Sequence, residues 1–404
     1  MTKAKLVFDP FSEDFFNGAY ETYRRMREEA PVYYSEEHDF YALTRHEDVA
    51  PAFKDFDTYS SAYGVDLPSV RTGTLPTETG PRMIIFMDPP AHRNMRSLLN
   101  KVFTPRAIQA QKEMATQKIE KYLGQVNPDG FDAVQEFTGP FPVEVITTML
   151  GVPEEHAQRI RHWVDESLYK EVGQVEMSEK AMQASMEQGM FYYDFVAKRR
   201  ADPQDDLFSQ LVAAEIERED GGKERLDDLE IAAFATLLGA AGAETVTKLV
   251  GNAVYMFAKN PDQWQKLLDD RSKIPAAVEE LLRYEAPAQY NVRRSMKDVH
   301  LHGTTIPEGK PVFLIGGSAN RDHLAWTDAD KFDIDRDRGE AQNLGFGYGI
   351  HSCLGAALAR MESAIALDKL LDFMPGYEVD FDGCKRVQMQ NVVGWKNVPV
   401  KVLR

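Results

Sequence analysis

Residues 227–259 constrain this chain more than any other stretch. The run opens on Asp227, reads as helix throughout, and is closed by Asn260-Pro261. Between Ile231 and Val250 it is apolar nearly all round. Such a helix is buried on every side rather than laid on a surface. At 1.5 Å per residue it extends about 50 Å, so a large body has to wrap around it. The chain has the material, with 404 residues of which 43% are hydrophobic. Helical periodicity recurs over 19–29, 106–123, 141–150, 154–169, 178–200 and 274–284, with Ser178 as a candidate cap. Asp88-Pro89-Pro90 predicts a further helix start, with Asp88 as cap. Strand-like segments are short and scattered: 32–34, 40–44, 299–301, 304–306, 312–315 and pieces of 376–403. Residues 60–82, rich in Gly and Pro, read as one long loop, and 218–225 as a charged turn. The expected fold class is mainly α with a minor discontinuous β-sheet region. One domain over 1–404 is expected, its β-rich lobe drawn from 1–60, 290–320 and 376–404, its helix-rich lobe from the remainder.

Charge removes several function classes. Lys and Arg number 47 against 64 Asp and Glu, a net charge of −17. That argues against nucleic acid or an anionic membrane as the main partner. Two cysteines far apart in sequence offer no disulfide framework and fit a reducing compartment. No run of 18 consecutive apolar residues occurs, and the N-terminus lacks an apolar targeting segment. A cytoplasmic, soluble monomer without a membrane span is expected.

The chemistry is concentrated at Phe346-Gly347-Tyr348-Gly349-Ile350-His351-Ser352-Cys353-Leu354-Gly355. A single cysteine stands after a glycine-rich loop and at the mouth of a helix predicted over 354–371. Free N–H groups and the positive dipole end of a helix favour thiolate, the metal-binding form of sulfur. Gly347 and Gly349 let the loop turn tightly and lie flat under a planar ligand, and Phe346 can shield the sulfur. Cys384, in the polar stretch 381–385, reads as a small buried hydrophobe. The spacing of Phe, the glycines, His and Cys resembles the haem-binding loop of the cytochrome P450 superfamily at every defining position. The resemblance extends from the Asp88-Pro89-Pro90 helix to Gly355 and is closest to the soluble bacterial type.

That resemblance implies haem b held between the long central helix and the proximal Cys-loop helix, with Cys353 as axial ligand to iron. Ala241 and Gly242 would let the flat cofactor approach the long helix, and Phe346 would cover the sulfur. Read from the residues alone, Glu244-Thr245 fits two arrangements equally well. In one, Thr245 back-bonds to its own helix and Glu244 faces a solvated seam; in the other, the pair is functional. The resemblance makes it an acid–alcohol pair, in which Thr245 distorts the helix locally and contacts dioxygen while Glu244 feeds protons. Glu280 and Arg283 lie three apart on one helix face; the resemblance joins them to Arg336 in a buried structural charge network. It assigns His92, Arg96, Arg293 and His351 to the haem propionates, with Arg294 the competitor of Arg293. Ile84, Ile85, Ala241, Val292 and Val392 are the substrate-pocket candidates.

The implied activity is insertion of one oxygen atom of O2 into a hydrophobic small molecule, guessed as a terpenoid, steroid or fatty compound. The chain has no Rossmann fingerprint and no iron–sulfur cysteine set. Electrons would then come from a ferredoxin and its NAD(P)H-dependent reductase, docking on a basic patch near Lys101, Arg106 and Arg360. A peroxide-driven peroxygenase, or a haem-thiolate sensor or lipid carrier, would need neither Glu244 nor Thr245. A zinc-thiolate site needs more ligands than one cysteine supplies.

Overall fold

The computed structural model describes residues 5–217 and 221–403. Ten of its helices have nine residues or more: α1 (Tyr20–Glu29), α2 (Ala91–Val102), α3 (Lys112–Leu123), α4 (Pro140–Leu150), α5 (Ala157–Leu168), α6 (Glu179–Ala201), α7 (Asp228–Lys259), α8 (Pro261–Asp269), α9 (Ile274–Tyr284) and α10 (Ala356–Phe373). The fold is mainly α with small sheets, as the sequence predicts.

α7 is the axis. Asp227 caps it and forms a reciprocal capping box with Glu230. Ile231, Ala235, Val246, Leu249, Val250, Val254 and Phe257 are buried along it. It packs against α4, α5, α6, α9 and α10. Among the described residues α7 is the one helix long and apolar enough to cross a bilayer, and 56% of its most apolar window is buried in the protein. Burial of each large apolar side chain there contributes about 1.5–3 kcal/mol, so its greasiness serves the core.

The main sheet has five strands in the order Val32–Ser35, Phe40–Leu43, Pro311–Leu314, Asn291–Ser295, Tyr59–Ser60. The second and third strands pair parallel; the other pairs are antiparallel. A three-stranded sheet joins Tyr377–Val379 and Pro399–Val402 to Phe131–Asp132, a strand contributed from between α3 and α4. Glu215–Glu217 and Lys223–Arg225 pair as a hairpin where only a charged turn was expected, and residues 218–220 of that turn lie outside the described residues. Strand pairing therefore also occurs within the range expected to form the helix-rich lobe.

Several local expectations change. Residues 60–82 contain two short helices, Leu67–Thr72, capped by Asp66, and Pro76–Thr79. The 106–123 stretch is split at Gln111 into Pro105–Ala110 and α3. Asp88 does not cap α2. Its carboxylate accepts hydrogen bonds from the Ser60 hydroxyl (2.5 Å) and the Ser61 N–H (3.1 Å), tying α2 to the main sheet. Ser178 does cap α6, accepting from the Ala181 N–H.

Candidate active site

A cavity of about 330 Å³ lies between α7 and the loop carrying Cys353. One face of α7 supplies a wall through Phe234, Leu238, Ala241, Thr245 and Leu249, residues three or four apart that share a side of the helix. Ile84, Ile85, Phe346 and Leu358 add apolar surface. The polar groups are few: His92, Arg96, Gln289, Asn291, Arg293, Thr245, His351, Ser352, Cys353 and Glu362. A mostly apolar chamber with a handful of convergent polar groups is the usual form of a small-molecule site.

Cys353 opens onto this cavity. Its N–H donates to the Phe346 carbonyl at 2.9 Å, closing the loop on itself. Gly347 and Gly349 both have left-handed backbone angles, φ 67° and 74°. At Gly349 a side chain would also collide with the Phe53 carbonyl, so this glycine seats the loop against the main-sheet region. α10 begins at Ala356 with Gly355 as its N-cap, two residues later than expected. Cys353 therefore stands outside the helix, and burial pushes its thiol up; the Gly355 N–H, Arg96 and Arg360 pull the other way. The sulfur is exposed to the cavity yet its protein surroundings favour the thiol, so a thiolate there calls for a bound cation as well as the loop's N–H groups. Arg360 lies over the Phe346 ring at 4.7 Å and pairs with Glu279 at 2.5 Å.

His92 and Arg96, one turn apart on α2, both line the cavity, as do Arg293 and His351. The His92 and His351 rings meet at 4.3 Å. His351 Nε2 contacts the Met87 carbonyl at 3.0 Å, while His92 Nε2 is buried without a partner. Burial, reinforced by neighbouring cations, pushes His92 down to about 4 and His351 down to about 3. Burial also lowers Arg96, and brings Arg293 down to about 10. Arg293 donates to its neighbour's carbonyl at 2.9 Å. Neither guanidinium forms an ion pair with a protein carboxylate among the described residues. Two half-buried or buried guanidiniums and an orphaned imidazole nitrogen around an apolar chamber fit a flat apolar ligand with anionic substituents, which is the chemistry of haem and its propionates. Arg294 faces away, stacked on Tyr63 at 4.7 Å and donating to the Val70 carbonyl.

The same alternation removes Val292 from the pocket. Successive strand residues face opposite sides, so Asn291 and Arg293 line the cavity while Val292 packs into a separate core with Phe313, Tyr290 and Val70. Val392 is also outside, buried with Val387, Met389 and Leu168. Ile84, Ile85 and Ala241 do line the cavity.

On α7, Thr245 donates its hydroxyl to the Ala241 carbonyl at 2.9 Å while standing in the cavity wall. α7 is continuous from Asp228 to Lys259 around it. Glu244 is buried and absent from the cavity lining. Its carboxylate pairs with Lys248 at 2.5 Å and meets Asp165 of α5. Burial pushes Glu244 up to about 7 against the pull of Lys248. Ala241 and Gly242 both line the cavity, as expected. A side chain at Gly242 would press on Ile146 of α4, itself a lining residue, and one at Gly239 on the Tyr192 hydroxyl of α6, so the small residues also admit neighbouring helices.

Glu280, Arg283 and Arg336 come together. Arg283 donates to both Glu280 oxygens at 2.8 Å, and to the carbonyls of Asn320 (2.8 Å), Ala329 (2.8 Å) and Lys331 (3.0 Å). Arg336 Nε reaches Glu280 at 3.3 Å, and the Asp333 N–H donates to Glu280 at 2.9 Å. Every oxygen and nitrogen in this buried group is engaged across three segments.

Comparison with known proteins agrees with this geometry. The family model described as cytochrome P450 matches residues 12–391. The chain belongs to the cytochrome P450 family. It is 42% identical over 400 residues to a putative cytochrome P450 123 of Mycobacterium tuberculosis, covering 98% of this chain and 97% of that protein. It is 35% identical to the erythromycin C-12 hydroxylase of Saccharopolyspora erythraea, covering 93% and 92%. The structure of a P450 EryK mutant with erythromycin B superposes with a TM-score of 0.85 at 33% identity, covering 96% of each chain. CYP109E1 of Bacillus megaterium with testosterone gives 0.84 at 29% identity, covering 97% and 100%. As a family member the chain is a monooxygenase-type oxidoreductase that uses haem.

Sequence reasoning missed Phe234, Leu237, Leu238 and Leu249, although stepping three or four residues from Ala241 finds them. It also missed Gln289, Asn291 and Glu362. Alternation from Arg293 would have given Asn291; nothing local marks Glu362.

Proposed function

We propose that this cytochrome P450 binds haem b through Cys353 and hydroxylates or epoxidises a hydrophobic small molecule. The observation that carries this reading is the placement of the Cys353 sulfur and the Thr245 hydroxyl on walls of one apolar cavity that Arg96 and Arg293 also line without an ion-pair partner among the described residues. Bound haem would supply reductive activation of dioxygen and transfer of one oxygen atom to a C–H or C=C bond.

The chain's own residues do the rest. Arg96 and Arg293, with His92 and His351, hold the propionates and are themselves neutralised. Phe346 covers the sulfur. Thr245 spends its proton on the Ala241 carbonyl, which leaves its Oγ1 lone pairs to accept from a donor in the cavity. Glu244, the residue before Thr245 on α7, exchanges a proton at the carboxyl held by Lys248 and Asp165, and Asp165 connects it toward solvent, its side chain being 40% exposed. Ile84, Ile85, Ala241 and Phe234 exclude water and meet the substrate. The Glu280–Arg283–Arg336 network fixes the backbone on the sulfur side.

The apolar walls support a terpenoid, steroid or fatty substrate, and the erythromycin- and testosterone-related proteins above show that related chambers admit bulky polycyclic or macrocyclic molecules. Electrons would come from a ferredoxin and its NAD(P)H-dependent reductase. The exposed Arg106 and a groove of about 820 Å³ between α3, α9 and α10, carrying Lys112, Arg338, Arg360 and Lys369, support a docking face there. The Lys101 side chain lies outside the described residues. Two unpaired cysteines suit a cytoplasmic enzyme. The test is to titrate candidate ligands into the holoenzyme for a substrate-induced Soret change. Product per NAD(P)H is then measured with a ferredoxin and reductase. Product from ligands that shift the spectrum supports the reading. Product with hydrogen peroxide but none with the redox chain would replace it with a peroxygenase.

A further inference from the structure

The large apolar side chains exposed on this protein are not scattered. Among the described residues seven of thirteen fall within 169–193: Tyr169, Val172, Met177, Met182, Met186, Met190 and Tyr193. Four of them lie on α6. The inner face of α6 is already used: Ala181, Ala184, Gln188, Tyr192, Phe195 and Val196 are buried against the neighbouring helices α5 and α7. Its outer face carries Met182, Met186, Met190 and Tyr193, exposed by 50%, 56%, 64% and 46%. At about 100° per residue these four fall within about 80° of one another. A solvent-facing helix side should be polar, and a contiguous apolar stripe marks a contact surface. Methionine suits such a surface because its flexible thioether packs against varied shapes.

A second observation sits in the middle of the stripe. Gly189 interrupts a 23-residue helix, where glycine is unfavourable. Nothing lies within 4 Å of the position its Cβ would take, so no neighbour inside the chain requires it. On the helix wheel it borders Met182 and Tyr193. A missing side chain at that point lets another helix cross closely.

The charges identify the crossing helix. Glu176 and Glu179 are exposed at the N-terminal end of α6. At its C-terminal end Lys198 is exposed and forms no ion pair among the described residues, whereas Arg199 and Arg200 are held by Asp206 and Asp228. A parallel copy would set Glu179, Glu187 and Asp194 each against itself. An antiparallel copy, with its two-fold axis at the level of Gln188, sets Glu179 beside Ala197 and Lys198. It also sets Met186 beside Met190, Glu187 beside Gly189, and Met182 beside Tyr193 and Asp194. Such a face is self-complementary, as a two-fold interface requires. An anionic bilayer is disfavoured by Glu171, Glu176, Glu179, Glu187 and Asp194 around the stripe. We propose that the outer face of α6 is the contact of a homodimer in which α6 packs antiparallel on α6 of a second copy.

The test uses the haem-loaded full chain in sedimentation equilibrium, with Cys384→Ser as background. Dimer is expected, and its fraction should rise from low to moderate salt because each copy carries −17. Met186→Glu should raise the dimer dissociation constant by about 100-fold or more, since it buries like charges across the axis, and should leave the haem spectrum unchanged. Gly189→Cys should form a disulfide-linked dimer on mild oxidation. Met182→Cys should not, because two antiparallel copies hold that position about 20 Å apart along the axis. A protein that stays monomeric at every concentration overturns the proposal, as does undiminished dimer in Met186→Glu or ready self-linking of Met182→Cys. Monomer that co-sediments with phosphatidylcholine vesicles would reassign the stripe to a lipid surface.

Discussion

Arg283 offers the most quantitative test of how the sulfur side is held. Its guanidinium makes five hydrogen bonds at 2.8–3.0 Å, two to Glu280 and one each to the carbonyls of Asn320, Ala329 and Lys331. It is 2% exposed. In Arg283→Lys the charge survives, but an ammonium has three donors and no planar fork. At least two of the five hydrogen bonds are then lost, although Glu280 Oε1 keeps Arg336 and the Asp333 N–H, and the Lys331 carbonyl keeps Arg336. A hydrogen bond to a charged group contributes about 1.5–3 kcal/mol, so the substitution should cost about 3–6 kcal/mol. Arg283→Ala removes every bond and leaves Glu280 to Arg336 and the Asp333 N–H alone. Breaking a buried pair costs about 3–5 kcal/mol, before the orphaned carbonyls are counted. Against a total stability of about 5–15 kcal/mol, the alanine variant should not accumulate as folded holoprotein. The assay is urea unfolding of the lysine variant followed by far-UV circular dichroism. The midpoint should fall at unchanged slope. An unchanged midpoint would refute the claim that this arginine is a structural hub.

Arg293→Ala should release haem to a scavenger protein at least about 10-fold faster, because one charged hydrogen bond contributes about 1.5–3 kcal/mol; Arg294→Ala, facing Tyr63, should release it at the wild-type rate. Burial holds Glu244 up to about 7 against the pull of Lys248, so its carboxyl should ionise as pH rises through that value. Product formed per NAD(P)H should therefore fall as pH rises through about 7, and Glu244→Gln should lose that inflection. An inflection that survives in Glu244→Gln assigns it to another group. Thr245→Ala should bind substrate and consume NAD(P)H while releasing peroxide in place of product; unchanged coupling would remove its hydroxyl from the proton route.

What the sequence made legible was what short-range physics encodes. The Asp227 cap, the all-round apolar run behind it and the Asn260-Pro261 stop place α7 within a residue. Ser178 marks α6 for the same reason. The cysteine loop is legible because Gly349 has no substitute where the loop meets Phe53. Errors arose where distant segments decide. Asp88 has the chemistry of a cap, yet Ser60 and Ser61 claim its carboxylate. The thiol of Cys353 looked dipole-stabilised, yet α10 starts at Ala356 and leaves it outside the helix. Gly242 lines the cavity as expected, but its contact with Ile146 of the neighbouring helix was not legible locally. Val292 was avoidable, because placing Arg293 in the cavity already sends its neighbour to the other face of the strand. Asp165 beside Glu244 was not, since nothing in either local sequence joins α5 to α7.

The central claim is that Cys353 provides the thiolate beneath the cavity. Its most direct test is the absorption spectrum of the dithionite-reduced, CO-treated holoprotein. Wild type and Cys384→Ala should both show the strongly red-shifted Soret band of thiolate-ligated haem, and Cys353→His should lose it. Retention of that band in Cys353→His, or its loss in Cys384→Ala, would contradict the assignment.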